Sequence, residues 1–256
     1  MFVPENFVLI HGSEFTMGSP KGEVGRDEGR AYFAQFGIDS NETQHQVQVS
    51  NYYMSKYAVT VTEFRSFVEA TGYQTDAEKS GFSIILVDDK TKDAEGVNWR
   101  HGVLGRRRLQ SESNHPVLHV SWNDAVAYCE WMSKQTGKHF RLPTEAEREY
   151  ACRAGSTTPF YTGENLTTAQ ANYDGNYPYN NNQKGVLRGN TVPVNSFAPN
   201  AWGLCNMHGN VFEWCSDWFS GTYYYECKAT GIVINPAGQE SSADRVARGG
   251  SWADFA

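Results

Sequence analysis

No apolar run in these 256 residues approaches the roughly 18 that a membrane-crossing helix needs. There is no basic excess either. Lys and Arg total 22 against 29 Asp and Glu, a net charge of −7, the wrong sign for nucleic acid or an anionic membrane surface as the main partner. The first residues, Met1-Phe-Val-Pro-Glu5, carry neither the basic stretch nor the apolar segment of a signal peptide. Cysteine is sparse and odd in number, at Cys129, Cys152, Cys205, Cys215 and Cys227, with no CxxC pair, which argues against a zinc site. The chain has no phosphate-cradling glycine loop, no dinucleotide fingerprint and no local nucleophile motif, and no repeat of fixed period.

What is present is a chain of 39% hydrophobic and 14% aromatic residues, enough to build a sizeable core and favouring a sheet-containing protein. Phe7-Val-Leu-Ile10 and Phe15-Thr-Met-Gly18 read as strands around a turn. His45-Gln-Val-Gln-Val49 alternates polar and apolar, the period of a half-buried strand. Residues 19–44 between them are expected to form a long loop.

Three helices are predicted. Thr60-Val-Thr-Glu63 is a capping box, followed by Phe64, Phe67, Val68 and Thr71 on one face and a stop at Gly72. A second starts at Ser121-Trp-Asn-Asp124, with Ala125, Tyr128, Cys129 and Met132 sharing a face, and ends at Gly137. The third opens at Pro143 and Thr144-Glu-Ala-Glu147 and stops at Gly155. Residues 156–200 are loop-rich, and the remainder reads as short strands joined by long turns. The pattern is α+β with few short helices, small antiparallel sheets and many loops. Residues 1–256 are expected to form a single domain.

His115-Pro-Val-Leu-His119 has metal-like spacing, but Pro116 breaks the helix that would align the two histidines, and a strand entering the core is the better reading. Arg106-Arg-Arg108 reads as a solvated loop, too short to supply the phosphate contacts of nucleic-acid binding. Asn206-Met-His-Gly-Asn-Val-Phe-Glu213 gathers amide, carboxylate and backbone oxygens around a glycine. Hard cations such as calcium take such donors, and a hydrogen-bonded buried turn uses the same residues.

Several strings together resemble one family. They are Phe7-Val-Leu-Ile-His-Gly-Ser-Glu-Phe-Thr-Met-Gly-Ser19, Lys56-Tyr-Ala-Val-Thr60, His115-Pro-Val-Leu-His-Val-Ser-Trp122 and Arg141-Leu-Pro-Thr-Glu-Ala-Glu147. Gly203-Leu-Cys-Asn-Met-His-Gly-Asn-Val-Phe-Glu-Trp214 and Arg245-Val-Ala-Arg-Gly-Gly-Ser-Trp252 complete the set. In this order they resemble the formylglycine-generating-enzyme-type, or sulfatase-modifying-factor, domain across nearly the whole chain. The resemblance implies a C-type-lectin-like fold. It implies calcium held by the side chains of Asn206 and Glu213 with the carbonyls of Gly209 and Val211. A second family cation site would begin at Asn172 and Tyr173, but its acidic partner falls near Val186, whose side chain cannot ligate.

Enzymes of this family oxidise a sulfatase cysteine to formylglycine with copper(I) held by two cysteines. The resemblance places the first of these at Asp254, and a hard carboxylate does not replace a soft thiolate on copper(I). No copper is therefore expected. Cys129 and Cys152 match positions that pair, in some relatives, with cysteines of a more C-terminal stretch. The chain is most like the variable proteins of diversity-generating retroelements, so it is expected to lack, or end at, the C-terminal variable segment. On that likeness it is a non-enzymatic display protein, exported or at the cell surface and monomeric. It would bind a protein or glycan ligand through Trp252, Asp254 and Phe255. The alternative is a formylglycine-generating oxidase or a related enzyme acting on a sulfatase cysteine. A sulfoxide-synthase relative would need histidines from an added helical domain that is not in the sequence.

Overall fold

The computed structural model describes residues 5–26, 42–87 and 90–256. Local sequence signals set the helix limits. Thr60 caps α1 (Val61–Thr71): its hydroxyl accepts from the Glu63 N–H, and Glu63 returns a carboxylate to the Thr60 N–H. Gly72 ends the helix in the left-handed region. Thr75 and Glu78 repeat the device on the short α2 (Asp76–Ser80). Ser121 and Asp124 open α3 (Trp122–Thr136), which ends at Gly137. Thr144 and Glu147 open α4 (Glu145–Arg153). The last terminates one residue before the predicted Gly155, with Ala154 itself at φ 45°.

The strands are short. β1 (Phe7–Ile10) pairs antiparallel with β4 (Tyr52–Ser55), Phe7 opposite Ser55 and Ile10 opposite Tyr52. β2 (Glu14–Met17) pairs antiparallel with β3 (His45–Gln48), and β8 (Val233–Ile234) adds to β3 in parallel. β5 (Phe82–Val87) and β6 (Lys90–Glu95) form a separate hairpin. β7 (Glu213–Trp218) pairs antiparallel with β9 (Arg245–Arg248) across an irregularity between Trp214 and Trp218. The architecture is the expected α+β, C-type-lectin-like arrangement.

Three apolar clusters hold the described residues, the smallest being Leu166, Ala171 and Tyr173 with Phe160 and Ala256 against them. Ile10, Met17 and Val47 from the strands meet Ala146, Tyr150 and Ala151 of α4 and Leu204 and Met207 of the following loops. Phe64, Phe67 and Val68 of α1 pack on Trp99, flanked by Tyr128 and Trp131 of α3. Burying Phe64 contributes roughly 1.5–3 kcal/mol, and Phe64→Ala would cost about 3–5 kcal/mol because a cavity is added to the lost transfer energy.

Several expectations need correction. His115–His119 is not a strand. It makes one bridge, Thr60 to Pro116, and His119 sits at φ 57°, which ends extended pairing. Its histidines are held singly rather than as a pair: His115 Nδ1 lies 3.0 Å from Thr191 Oγ1, and His119 lies 3.0 Å from both Ser83 Oγ and the Gly102 carbonyl. Arg108 is not solvated. It donates to the carbonyls of His101 and Pro116 and is buried between them. Residues 223–230, expected among short strands, form α5 (Tyr223–Thr230), a helix without a side-chain cap. Most of the 19–44 loop lies outside the described residues.

Candidate functional site

Three loops meet beside α4 and β7. The first is 206–213, the second runs through Asn172, and the third is the tail 249–256. Gly209 N–H donates to the Gly249 carbonyl at 2.6 Å, Asn210 N–H to the Asn172 carbonyl at 2.7 Å, and Trp252 N–H to the Asn210 carbonyl at 3.1 Å. Gly209 has φ +70°, and a Cβ there would stand 2.3 Å from the Asn172 carbonyl oxygen, so no larger residue fits the crossing.

Four of the sequence-predicted residues lie on the first loop. Asn206, buried at φ 53°, donates from Nδ2 to the Val194 carbonyl, while its Oδ1 is buried without a hydrogen-bond partner. The Gly209 carbonyl accepts from Val211 N–H at 3.0 Å. Glu213, at the start of β7, accepts from Arg148 Nε at 2.8 Å through Oε2. An orphaned amide oxygen, a carboxylate with a second oxygen and nearby carbonyls fit a hard cation, and the orphaned Oδ1 is the observation that favours one. The fit has a cost, because the Arg148 guanidinium already shares Glu213.

Asn172, fully buried, also leaves Oδ1 without a partner, while its Nδ2 donates to the Asn190 carbonyl and Asn210 Oδ1. Val186 is exposed, and its N–H donates to Thr168 Oγ1. Among the described residues no group of three or more His, Cys, Asp or Glu side chains is placed to hold a metal ion.

The tail folds on itself. Asp254 Oδ2 accepts from both the N–H (2.8 Å) and the hydroxyl (2.5 Å) of Ser251, and the Asp254 carbonyl accepts from Asp174 N–H at 2.9 Å. The Phe255 ring is 68% exposed and lies 4.3 Å from the ring of Tyr177, whose carbonyl accepts from Ala256 N–H. Trp252 is half-buried. Tyr177 was missed in the sequence because it lies in a loop with no periodic pattern to place it.

Behind these loops lies a polar cleft of about 240 Å³. Glu149 accepts from Arg153, Arg248 and the Gly18 N–H. Burial would raise its pKa, but the two arginines and these hydrogen bonds outweigh burial and hold it below the usual carboxylate value. His208 stacks on Tyr161 at 5.1 Å and lies 3.6 Å from Cys152 Sγ. Burial, aided by Arg148, Arg248 and Arg153, pushes His208 down to about 3, and burial pushes the Cys152 thiol up. The pair is therefore neutral imidazole beside neutral thiol, not the thiolate–imidazolium couple of a nucleophile. All five cysteines are free thiols.

Residues 3–256 match the family of the sulfatase-modifying factor enzyme 1-like domain. The chain is 38% identical over 267 residues to the formylglycine-generating enzyme of Mus musculus, covering 96% of this chain and 65% of that protein. It is equally identical to the formylglycine-generating enzyme of Streptomyces coelicolor, covering 78% of it. The inactive C-alpha-formylglycine-generating enzyme 2 of Mus musculus is 32% identical, with 97% of this chain and 75% of that protein covered. Among solved structures, PvdO from Pseudomonas aeruginosa superposes with TM-score 0.65 at 27% identity over 96% of this chain and 82% of that one. Treponema denticola variable protein 1 superposes at 0.59 and 20% identity, over 96% and 84%, a likeness of fold. The chain spans 66% of the length of the formylglycine-generating enzyme of Bos taurus and 65% of that of Mus musculus. The chain belongs to the sulfatase-modifying factor, or formylglycine-generating-enzyme-type, family.

Proposed function

We propose that this chain is a non-enzymatic binding protein of the family, presenting its tail around Trp252, Asp254 and Phe255 to a protein or glycan ligand. One observation carries the reading. The side chain at the position of the first copper cysteine is a carboxylate, and it is engaged by Ser251 in a closed turn. A hard oxygen donor used this way offers copper(I) nothing in place of a thiolate. Beside it, the exposed Phe255 on Tyr177 provides rigid aromatic contact area at low entropic cost. A calcium ion at Asn206 and Glu213, with the Gly209 and Val211 carbonyls, would brace the loop on which the tail rests.

A second reading is favoured by identity. The formylglycine-generating enzymes are closer in sequence, at 35–38%, than the inactive enzyme 2 proteins at 31–32%. One assay separates the two. Incubation with a sulfatase-motif peptide, copper(I) and oxygen leaves the peptide mass unchanged if the chain only binds. Conversion of the peptide cysteine to formylglycine would establish the enzyme instead.

A further inference from the structure

Three segments distant in sequence meet at the His119 ring. Its Nε2 lies 3.0 Å from the Gly102 carbonyl, and its Nδ1 lies 3.0 Å from the Ser83 hydroxyl. A carbonyl only accepts, so Nε2 carries the proton, and the neutral ring takes a hydrogen bond from Ser83 through Nδ1. The backbone at His119 is left-handed, at φ 57°, a conformation that a residue other than glycine keeps only where its surroundings hold it.

A buried cation stands beside this ring. The Arg108 side chain is 2% exposed. Its Nε and Nη2 donate to the His101 and Pro116 carbonyls, while Nη1 has no hydrogen-bond partner and lies 3.6 Å from Glu112. Arg108 and His101 are the titratable groups that face His119, both from residues 101–108. The hairpin contributes Ser83, which carries no charge. Burial, aided by His101 and Arg108 and opposed by the Gly102 carbonyl, holds His119 below the ordinary histidine value of 6.5. A proton taken up there turns Nδ1 from acceptor to donor. It also sets a second positive charge beside Arg108, a cation with an imperfect carboxylate partner.

What the ring holds is the β5–β6 hairpin. None of its residues belongs to the three apolar clusters. A two-stranded hairpin on its own is marginally stable in water at best. α2 leads into β5 through Gly81, and the inner row of β5 makes the attachment. Ser83 meets His119, and Ile85 lies under the 102–107 loop. A Cβ on Gly105 of that loop would stand 3.6 Å from Ile85 Cγ2 and 3.0 Å from Val97 Cγ2. The outer row, Phe82 and Ile84, is exposed. The hairpin is therefore a unit that can open while the clusters stay closed.

We propose that His119 is an acid-operated latch: protonation of its ring releases the β5–β6 hairpin from residues 101–108 and uncovers Ile85 and Val97, while the rest of the fold stays closed. The sign follows from the neutral ring being the docked form. Docking is fully present above about pH 6.5, the value of the released ring, and weakens as pH falls through the lower docked value. Glu145, pushed up to about 7 by burial, acts in the opposite direction, so the two groups are separable by sign.

The test is hydrogen exchange of the whole chain, followed amide by amide by NMR from pH 7.5 to pH 5.0 and referred to the unstructured rate at each pH. Gly96 N–H donates to the Gly81 carbonyl, so by alternation the N–H groups of Ser83 and Ile85 face β6 and report its pairing. Their protection should fall about tenfold or more across that range, with β1, β4 and α1 unchanged. His119→Asn, which suits the left-handed backbone and does not titrate there, should leave the hairpin loose at every pH and its response flat. In the parent, the His119 ring resonances should titrate below pH 6.5, a readout that needs no variant to fold. Hairpin protection that stays constant from pH 7.5 to pH 5.0 overturns the proposal. So does a loss shared equally by β1, β4 and α1, which is general acid unfolding. A parent-like response in His119→Asn, or a ring that titrates at or above pH 6.5, overturns it as well.

Discussion

Arg148 donates from Nε to Glu213 Oε2 at 2.8 Å and from Nη2 to the Met207 carbonyl at 3.1 Å, so one guanidinium on α4 ties down both ends of the 206–213 loop. The Arg148 side chain is 3% exposed, and it also lies 3.1 Å from where a Cβ on Gly249 would stand. The helix, the loop and the tail thus share one buried charge. Arg148→Met removes it and leaves Glu213 and a buried carbonyl without their donor. The expected loss is about 3–5 kcal/mol in urea unfolding, the range for breaking one side of a buried pair. A double-mutant cycle with Glu213→Gln should return a coupling of about 0.5–3 kcal/mol. A loss under about 1 kcal/mol for Arg148→Met would show that the loop holds its shape without the pair.

Glu145, at the first turn of α4, is pushed up to about 7 by burial, which Arg248 only partly offsets. Its unfolded value is the ordinary 4.5. With the folded pKa raised, stability is full below about pH 4.5, where both states are protonated, and falls as pH rises through 7. Glu145→Gln does not titrate. Relative to it, the parent should lose stability between pH 4.5 and pH 8, by about 3 kcal/mol in order of magnitude. Parallel stability curves for the two proteins across that window would place the carboxyl in a wetter environment.

Calcium added to metal-stripped protein should raise the melting temperature, and chelator should reverse it. A ligand that binds only the folded state at a hundredfold excess over its dissociation constant stabilises by about 2.7 kcal/mol. Asn206→Leu removes the orphaned Oδ1 and should abolish the response. A calcium response that survives Asn206→Leu would move the site elsewhere. No response in the parent would leave 206–213 as a hydrogen-bonded turn, the other reading the residues allow.

The helices were legible because their caps are local: Thr60, Ser121 and Thr144 each close a box with a carboxylate three residues on. The 206–213 loop, where the resemblance implies a calcium ion, was legible as a family string. What the sequence hid is non-local. Arg148 sits amid a charged run, Glu145-Ala-Glu-Arg-Glu149, with no local signal of burial, yet it is buried where Glu213 of β7 and the Met207 carbonyl meet it. Tyr177 meets Phe255 only through the fold. His115–His119 reads as a strand by composition, but its pairing is limited to the bridge between Thr60 and Pro116 and stops before the left-handed His119.

The tail aromatics should separate by their surroundings. Phe255 is 68% exposed and touches chiefly the Tyr177 ring at 4.3 Å. An aromatic pair of this kind adds about 0.5–1.5 kcal/mol beyond area, so Phe255→Ala should cost about 1 kcal/mol and shift the melting temperature by only a few degrees. Trp252 is half-buried, and its N–H holds the Asn210 carbonyl where tail and loop cross. Trp252→Ala keeps that backbone bond but empties the packing around it, and should cost about 1–3 kcal/mol. The contrast decides how the tail can serve recognition. A ring whose loss barely disturbs the fold is free to contact a ligand, whereas a ring that anchors the crossing contributes mainly by fixing the shape of the surface. Phe255, with Tyr177 beneath it, is then the contact and Trp252 the support. If Phe255→Ala melts the protein as severely as Trp252→Ala, both rings are core. The display reading then loses its contact residue, and recognition would have to lie outside residues 252–255.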